Sequence, residues 1–469
     1  MTRNVDVAII GAGTAGLSAM AQVRRKTKNF VIIDGGTLGT TCARIGCMPS
    51  KALINIADDF HRRSIFEREG IEGGDQLSVD LEEAMEHVRH LRDVLTDRVI
   101  SHTTDNLDDE FIPEYAEFLA PDRLQVGEEQ IQAKRIVIAV GSRPIVPKAW
   151  QAFGDRIVTT DDFFELETLP PSMVVVGLGV IGLELGQAMA RLGVEVTGID
   201  ALDTIARIDD PAVRDMAIEL IGKSFSLHLG QPAEIAEENE KLRVRFGEQS
   251  VLADKVLASL GRRSNIDRLG LDKLDVKLRD DGAPRYNPHS MQVHGLPIFI
   301  AGDANDRRQI LHEAGNEGRI AGYNAVRDQS TMFHRTVPLN ITFSDPQICQ
   351  VGKRLGDLEE AETAVGEFKY GPLGRGLVMG QNKGVLRLYA DKSDGRLLGA
   401  TMCAPRGENI AHLIAWSMEQ RLTVFDMLRM PFYHPVFEEA LQGALRSTMA
   451  QLEAKLSTPP EIRPLPPKE

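Results

Sequence analysis

The feature that most constrains this chain is a plan that it uses twice. Residues Val5 to Ile10 form a short apolar run that enters Gly11-Ala-Gly13-Thr-Ala-Gly16, continues into a helical stretch, and returns as the apolar strand Phe30 to Ile33, ending in Asp34. The same order recurs at Met173 to Val176, Gly177-Leu-Gly179-Val-Ile-Gly182, a helical stretch, and Val194 to Ile199, ending in Asp200. In both copies the acid lies 23 positions after the first glycine. One GxGxxG is a weak signal, but two in strand, turn, helix, strand, acid order specify two parallel-sheet modules that each bind a dinucleotide.

The glycines have separate tasks. The first permits the tight turn, the second lets a pyrophosphate approach the backbone, and the third lets helix pack closely on strand. The phosphates then meet unpaired backbone N–H groups at the positive end of the helix. A carboxylate closing the second strand accepts from a ribose hydroxyl and repels a 2′-phosphate, so both modules are expected to take an unphosphorylated adenine dinucleotide. Each module is closed by an apolar strand running into a glycine turn, Ile136 to Val140 before Gly141 and Val256 to Leu260 before Gly261. A third strand, Pro297 to Ala301, leads to Gly302-Asp303 and carries an acid to a strand end.

The rest of the chain reads differently. Residues 81 to 107 predict a charged amphipathic helix, and from about Val337 onward period-two strands mix with helices, as in a separate α+β unit. The tail from Ser457, with Pro459, Pro460, Pro464, Pro466 and Pro467, predicts an extended, mobile end. At 469 residues the chain has room for roughly three domains of about 150 residues each.

Composition excludes several classes. Hydrophobic residues are 42% and charged residues 26%, which suits a soluble globular protein. No apolar run approaches the ~18 residues of a membrane span, and the start shows no secretory signal, so a cytoplasmic location is expected. With 54 basic and 68 acidic residues the net charge is −14, which argues against nucleic acid and anionic membranes as partners. Four cysteines are too few for a disulfide-stapled scaffold. Cys349 and Cys403 stand alone in apolar strands and read as buried structural thiols. No Cys/His grouping has metal spacing, so no metal is expected.

The other two cysteines belong to Thr41-Cys42-Ala-Arg-Ile-Gly-Cys47-Met-Pro49-Ser-Lys51. Four intervening residues allow a small disulfide ring. Cys47 is expected at a helix start, with Pro49 in the first turn, where the dipole stabilises a thiolate. Lys51, four residues on, shares its helix face.

With these residues in place, the chain resembles the pyridine nucleotide–disulfide oxidoreductases over nearly its whole length. The likeness rests on the two glycine loops, the Cys42 to Lys51 segment, Glu184 after the second loop, Ile300-Ala-Gly-Asp303, and His434-Pro-Val-Phe-Glu-Glu439. It implies an α/β architecture of two doubly wound Rossmann-like nucleotide-binding domains plus a C-terminal α+β dimerisation domain. The expected boundaries are 1–145 with 265–335 for FAD and the redox disulfide, 146–264 for NAD, and 336–469 for the interface.

By the same resemblance, Gly11, Gly13, Gly16, Asp34, Thr41, Lys51, Gly141 and Asp303 would bind FAD, with Asp303 on the ribityl chain. Gly177, Gly179, Gly182, Asp200 and Gly261 would serve NAD. Lys51 and Glu184 would pair near the flavin. His434 would be the acid/base, oriented by Glu439 or its neighbour Glu438 and supplied by the second subunit of a homodimer. His312 is expected to pack or lie near the flavin. The implied reaction oxidises dihydrolipoamide or a lipoyl-bearing protein, moving electrons from dithiol to Cys42–Cys47 to FAD to NAD⁺.

Departures from the family pattern are local. Asp34 and Asp200 stand where Glu is commoner, and Ala201, Leu202 and Asp203 follow where NADP users carry arginines, so NAD is expected. No cysteine follows Cys403, which disfavours relatives with a C-terminal thiol pair. Two rival readings are another disulfide reductase of the same fold and a subunit whose main task is docking within a lipoyl-dependent complex.

Overall fold

The computed structural model describes residues 2–462; Pro464, Pro466 and Pro467 of the predicted tail lie outside them. The first unit opens with β1 (Thr2–Ile10), α1 (Thr14–Val23) and β2 (Phe30–Ile33), followed by α2 (Thr41–Ile45), α3 (Cys47–His61) and α4 (Leu81–His102). The strands β3 (Phe111–Ile112), β4 (Ala116–Ala120), β5 (Arg123–Val126) and β6 (Glu129–Ile138) complete its sheet in the order β3-β2-β1-β6-β5-β4. Ile10 lies beside Ile33 on one side and Ile138 on the other, all parallel. Strands buried on both faces read as continuous apolar runs, which is why these segments show no alternation.

The chain then passes through β7 (Ser142–Pro144), β8 (Ile157–Val158) and α5 (Thr160–Phe163) into the second unit. There β9 (Ser172–Val176), α6 (Val180–Arg191), β10 (Glu195–Ile199), α7 (Pro211–Ile221) and β11 (Ser226–His228) precede the antiparallel ribbon β12 (Glu234–Glu238), β13 (Lys241–Phe246) and β14 (Gln249–Ala253). The sheet closes with β15 (Lys255–Ala258), in the order β11-β10-β9-β15-β8. Next, β16 (Arg262–Ser264) pairs antiparallel with β7, so the outgoing and returning chains form a two-stranded hinge. After it, β17 (Ile298–Ile300) rejoins the first sheet, with Ile300 beside Ile138. The ends of β1, β6 and β17, carrying Gly11, Gly141 and Asp303, therefore share one carboxyl edge, the usual location of a ligand in such sheets.

The helix α8 (Leu311–Ala325) leads to the last unit, in which β18 (Leu339–Thr342), β19 (Gln347–Gly352), β20 (Thr363–Lys369), β21 (Val385–Asp391) and β22 (Leu397–Ala404) form an antiparallel sheet ordered β18-β19-β22-β21-β20. Its helices are α9 (Gly374–Met379), α10 (Gly407–Glu419), α11 (Val424–Leu428) and α12 (Glu439–Met449). One apolar core is common to all three units, since Leu53 of α3, Leu183 of α6 and Ile348 of β19 belong to the same cluster. The cysteine-bearing helix is thus built into the junction of the three units.

Three expectations need adjusting. The predicted helix of 81–107 ends at His102, where a short turn, Thr104–Asn106, takes over. The described tail is not free, because Glu461 pairs with Arg446 at 3.0 Å and Pro460 is buried. His312, expected to pack or to lie near the flavin, is exposed at the start of α8. Cys349 and Cys403 are fully buried, and burial holds both thiols protonated.

Candidate active site

Both glycine loops have the same backbone solution. Gly11 (φ +109°) and Gly177 (φ +98°) are left-handed, and a Cβ on either would collide with the backbone of the facing strand end, at Ala139 and Ser259. Such positions admit only glycine. A Cβ on Gly16 or Gly182 would strike the carbonyl of Gly11 or Gly177, so these two permit the helix to sit tight on the loop. Gly13 and Gly179 face open space, as a cradle for a pyrophosphate requires. Gly141 (φ +67°) and Gly261 (φ +98°) turn the chain away from the neighbouring strands.

The acids behave identically as well. Asp34 accepts from Ala12 N at 2.6 Å and Gly36 N at 2.9 Å, while Asp200 accepts from Leu178 N at 2.6 Å and Leu202 N at 2.8 Å. The shorter aspartate reaches back to its own glycine loop and fixes it. Each oxygen keeps acceptor capacity for a ribose hydroxyl, so the residues fit an adenine dinucleotide at both places. Asp303 accepts from Ser142 Oγ at 2.6 Å, and Ser142 is in turn held by Arg262 Nε at 2.8 Å.

The redox segment follows β2. Thr40, at φ +64°, caps α2 by accepting from Ala43 N at 3.3 Å; Thr41 is the exposed first residue of that helix. Cys42 is half-buried on α2, and Cys47 opens α3 with Pro49 in its first turn. Both are free thiols within hydrogen-bonding reach of each other, and they are electrically unequal. The Cys42 S–H donates to Cys47, and this bond together with the Lys51 cation lowers the Cys47 thiol to about 7. Holding that donated proton pushes Cys42 far up. Hydrogen bonding to the charged form and a nearby opposite charge both favour the thiolate.

Lys51 Nζ donates to Glu184 Oε2 at 2.7 Å, and Glu184 is only 4% exposed. The other Glu184 oxygen accepts from Phe343 N at 2.9 Å, and Lys51 lies 4.5 Å above the Phe343 ring. One ion pair therefore joins the first unit, the second, and the segment after β18. Seven residues further along both helices Asp58 pairs with Arg191, which also takes Asp345 at 2.7 Å. Parallel packing of α3 on α6 accounts for the equal spacing.

Cys42 opens on a pocket of about 450 Å³ whose walls include Leu17, Gln22, Met48, Leu95, Val99 and Arg319. His434 is far more exposed, at 76%, and its Nδ1–H donates to Glu439 Oε1 at 2.9 Å. This bond holds the Glu439 carboxyl below its ordinary range. Glu439 also accepts from Val436 N at 3.1 Å. Geometry thus separates Glu439 from Glu438 as the partner of the imidazole. Among the described residues, nothing links His434 to the cysteines of its own chain.

A family model described as pyridine nucleotide-disulphide oxidoreductase matches residues 5–318, and its dimerisation-domain counterpart matches 339–445. The chain belongs to the pyridine nucleotide-disulphide oxidoreductases. It is accordingly an oxidoreductase working with FAD and NAD(H), and its C-terminal unit is of the family's dimerisation type. A dihydrolipoyl dehydrogenase of Halobacterium salinarum is 29% identical over 466 residues, covering 95% of this chain and 96% of the relative. One from Bacillus subtilis is 28% identical over 456 residues, covering 95% and 99%. Among solved structures, the HOCl-induced flavoprotein disulfide reductase RclA of Escherichia coli and LpdA of Mycobacterium tuberculosis each share the fold with a TM-score of 0.82 at 20% identity, covering 94% of this chain and 99% of theirs. No helix among the described residues is long and apolar enough to cross a membrane.

Sequence reading missed the scaffold beneath Asp303. Buried Glu317 accepts from Gly302 N at 2.8 Å and Asn305 Nδ2 at 2.6 Å, and Arg335 clasps Glu317 at 2.7 Å together with Glu313. Two acids four apart on the one face of α8 that also carries small residues were the available signal.

Proposed function

We propose that this chain is a dihydrolipoamide:NAD⁺ oxidoreductase acting as a homodimer. The observation that carries the reading is the placement of the pair: Cys42 opens on the pocket, while Cys47 starts the helix that carries Lys51 one turn later. A thiol needing to leave as thiolate and a sulfur needing to be attacked from a pocket are the two halves of disulfide exchange.

In the oxidised enzyme a substrate thiolate attacks Cys42 Sγ, the Cys42–Cys47 bond breaks, and Cys47 departs as the thiolate that Lys51 stabilises. His434 takes the proton released by the substrate thiol. The second substrate sulfur then displaces Cys42 from the mixed disulfide, so the substrate leaves oxidised and the protein pair reduced. The Nδ1–H bond to Glu439 keeps Nε2 outward as the basic nitrogen. In this reading His434 and Glu439 act on the pocket of the other subunit, which the exposure of His434 supports. Bound FAD supplies the two-electron passage between the Cys47 side of the pair and the nicotinamide. Gly11, Gly13, Gly16, Asp34, Thr41, Gly141 and Asp303 hold FAD, and Gly177, Gly179, Gly182, Asp200 and Gly261 hold NAD(H), with Asp200 selecting against a 2′-phosphate.

Anaerobic titration of the purified yellow protein with dihydrolipoamide tests the proposal. A long-wavelength thiolate–flavin absorption band at two electrons per flavin is expected, with turnover by NAD⁺ and not NADP⁺. Turnover confined to NADPH and another disulfide would overturn the substrate assignment.

A further inference from the structure

Phe343 lies between β18 and β19, and its ring does not serve the core. It belongs to none of the apolar clusters among the described residues and is only half-buried. Its ring has a different neighbour, the Lys51 ammonium, 4.5 Å from the ring centre. An ammonium over an aromatic face within about 6 Å is held by the charge distribution of the ring.

The ring is also fixed in place. Phe343 N donates to Glu184 Oε1 at 2.9 Å, Asp345 N to Gln187 Oε1 at 2.7 Å, and Arg191 Nη2 to Asp345 Oδ2 at 2.7 Å. Glu184, Gln187 and Arg191 are spaced three and four apart along one face of α6, so the segment from Phe343 to Asp345 is fastened to that helix at three successive points. Lys51 has two close anchors, the Glu184 carboxylate at 2.7 Å and the ring; its other contact, Ser50 Oγ, is long at 3.5 Å. A lysine stem is flexible and this one is 31% exposed, so each anchor counts in keeping the cation from swinging into water.

We propose that Phe343 is a positioning residue of the redox pair: its ring holds the Lys51 ammonium where that cation favours the Cys47 thiolate. The inference rests on the reading of Cys42–Cys47 as the redox pair and extends it to a side chain of the last unit. The ring acts in two ways. It attracts the ammonium, and it covers it from solvent, which strengthens the pull of the cation on a nearby sulfur. The titratable groups that act on Cys47 are Cys42 of α2, Lys51 of its own helix and Glu184 of α6. Replacing the ring leaves all three, and the backbone donor to Glu184, in place.

The test is the pH profile of iodoacetamide alkylation at Cys47, read by peptide mass spectrometry on the two-electron-reduced, FAD-loaded protein, in a double-mutant cycle with Lys51→Met. Wild type should show a midpoint near 7. Phe343→Leu keeps apolar cover but removes the aromatic face, and should weaken the ionisation constant of Cys47 about threefold. Phe343→Ala removes both and should weaken it about tenfold. Phe343→Tyr should stay close to wild type and, with flavin absorbance retained, guards against misfolding. In the Lys51→Met background, where no ammonium remains, neither Phe343→Leu nor Phe343→Ala should move the midpoint further. A wild-type midpoint in the ordinary thiol range, no shift in the Leu and Ala variants, a Tyr variant that behaves like Leu, or an equal shift with and without the lysine would overturn the inference. Reduction of the FAD-loaded wild type that frees no thiol at Cys42 and Cys47 would instead overturn the redox reading itself, and the inference with it.

Discussion

The two glycine loops are nearly interchangeable, whereas the segments that follow them are not. Gly11 and Gly177 share a left-handed turn, and Asp34 and Asp200 fix their loops through bonds of the same 2.6 Å length. After β2, however, the chain runs through α2 and α3 with both cysteines, while after β10 it goes to the Asp210-capped α7 with none. Holding a dinucleotide is a backbone task and can be copied. Disulfide exchange is a side-chain task, and both cysteines lie in one copy, whose Lys51 pairs with Glu184 of the other.

The strongest way to break this division is Cys42→Ser. It should abolish dithiol turnover while the protein stays yellow with bound FAD, as read by steady-state assay and flavin absorbance; loss of the flavin instead would mean that cradle and chemistry are one unit. Next in size, His434→Gln should lower kcat by about 10²- to 10⁴-fold, the usual worth of a positioned acid/base, leaving the thiolate–flavin band in place. Gly11→Ala and Gly177→Ala make a matched pair. The first should yield protein largely without FAD, and the second should keep FAD but raise the KM for NADH roughly tenfold, about 1.4 kcal/mol of binding. If either change affects both cofactors equally, the loops are not independent.

The smallest effect expected is on pH. Cys47 is held near 7, below an ordinary thiol, so its thiolate exists above that value and is lost as pH falls through it. The thiolate–flavin band of the two-electron-reduced enzyme should therefore fade from pH 8 toward pH 6, and a band constant across that range would remove the asymmetry between the two sulfurs.

What the sequence disclosed was local. The glycine turns, the closing acids, the helix start at Cys47 and the run of apolar strands all follow from short-range rules, and β2 matches its expected bounds, Phe30–Ile33. Tertiary closure of polar groups was not legible. Whether Glu438 or Glu439 meets His434 depends on how the chain enters α12, and Glu317 reaches Gly302 only because α8 passes under the loop. The tail misled because proline content predicts extension without saying that Arg446 waits for Glu461. Lys51 with Glu184 was accessible only through likeness to a family, since 133 residues separate them.

One modest contact has a wider reach. Phe343, just beyond β18, lends its backbone N–H to Glu184, and Asp345 lends its own to Gln187. The last unit therefore grips the same helix that steadies the lysine beside the sulfurs. A chain cut before residue 337 would lose the backbone donor of that carboxylate, so the setting of the lysine beside the sulfurs depends on the docking of a unit that contributes no atom to either nucleotide loop.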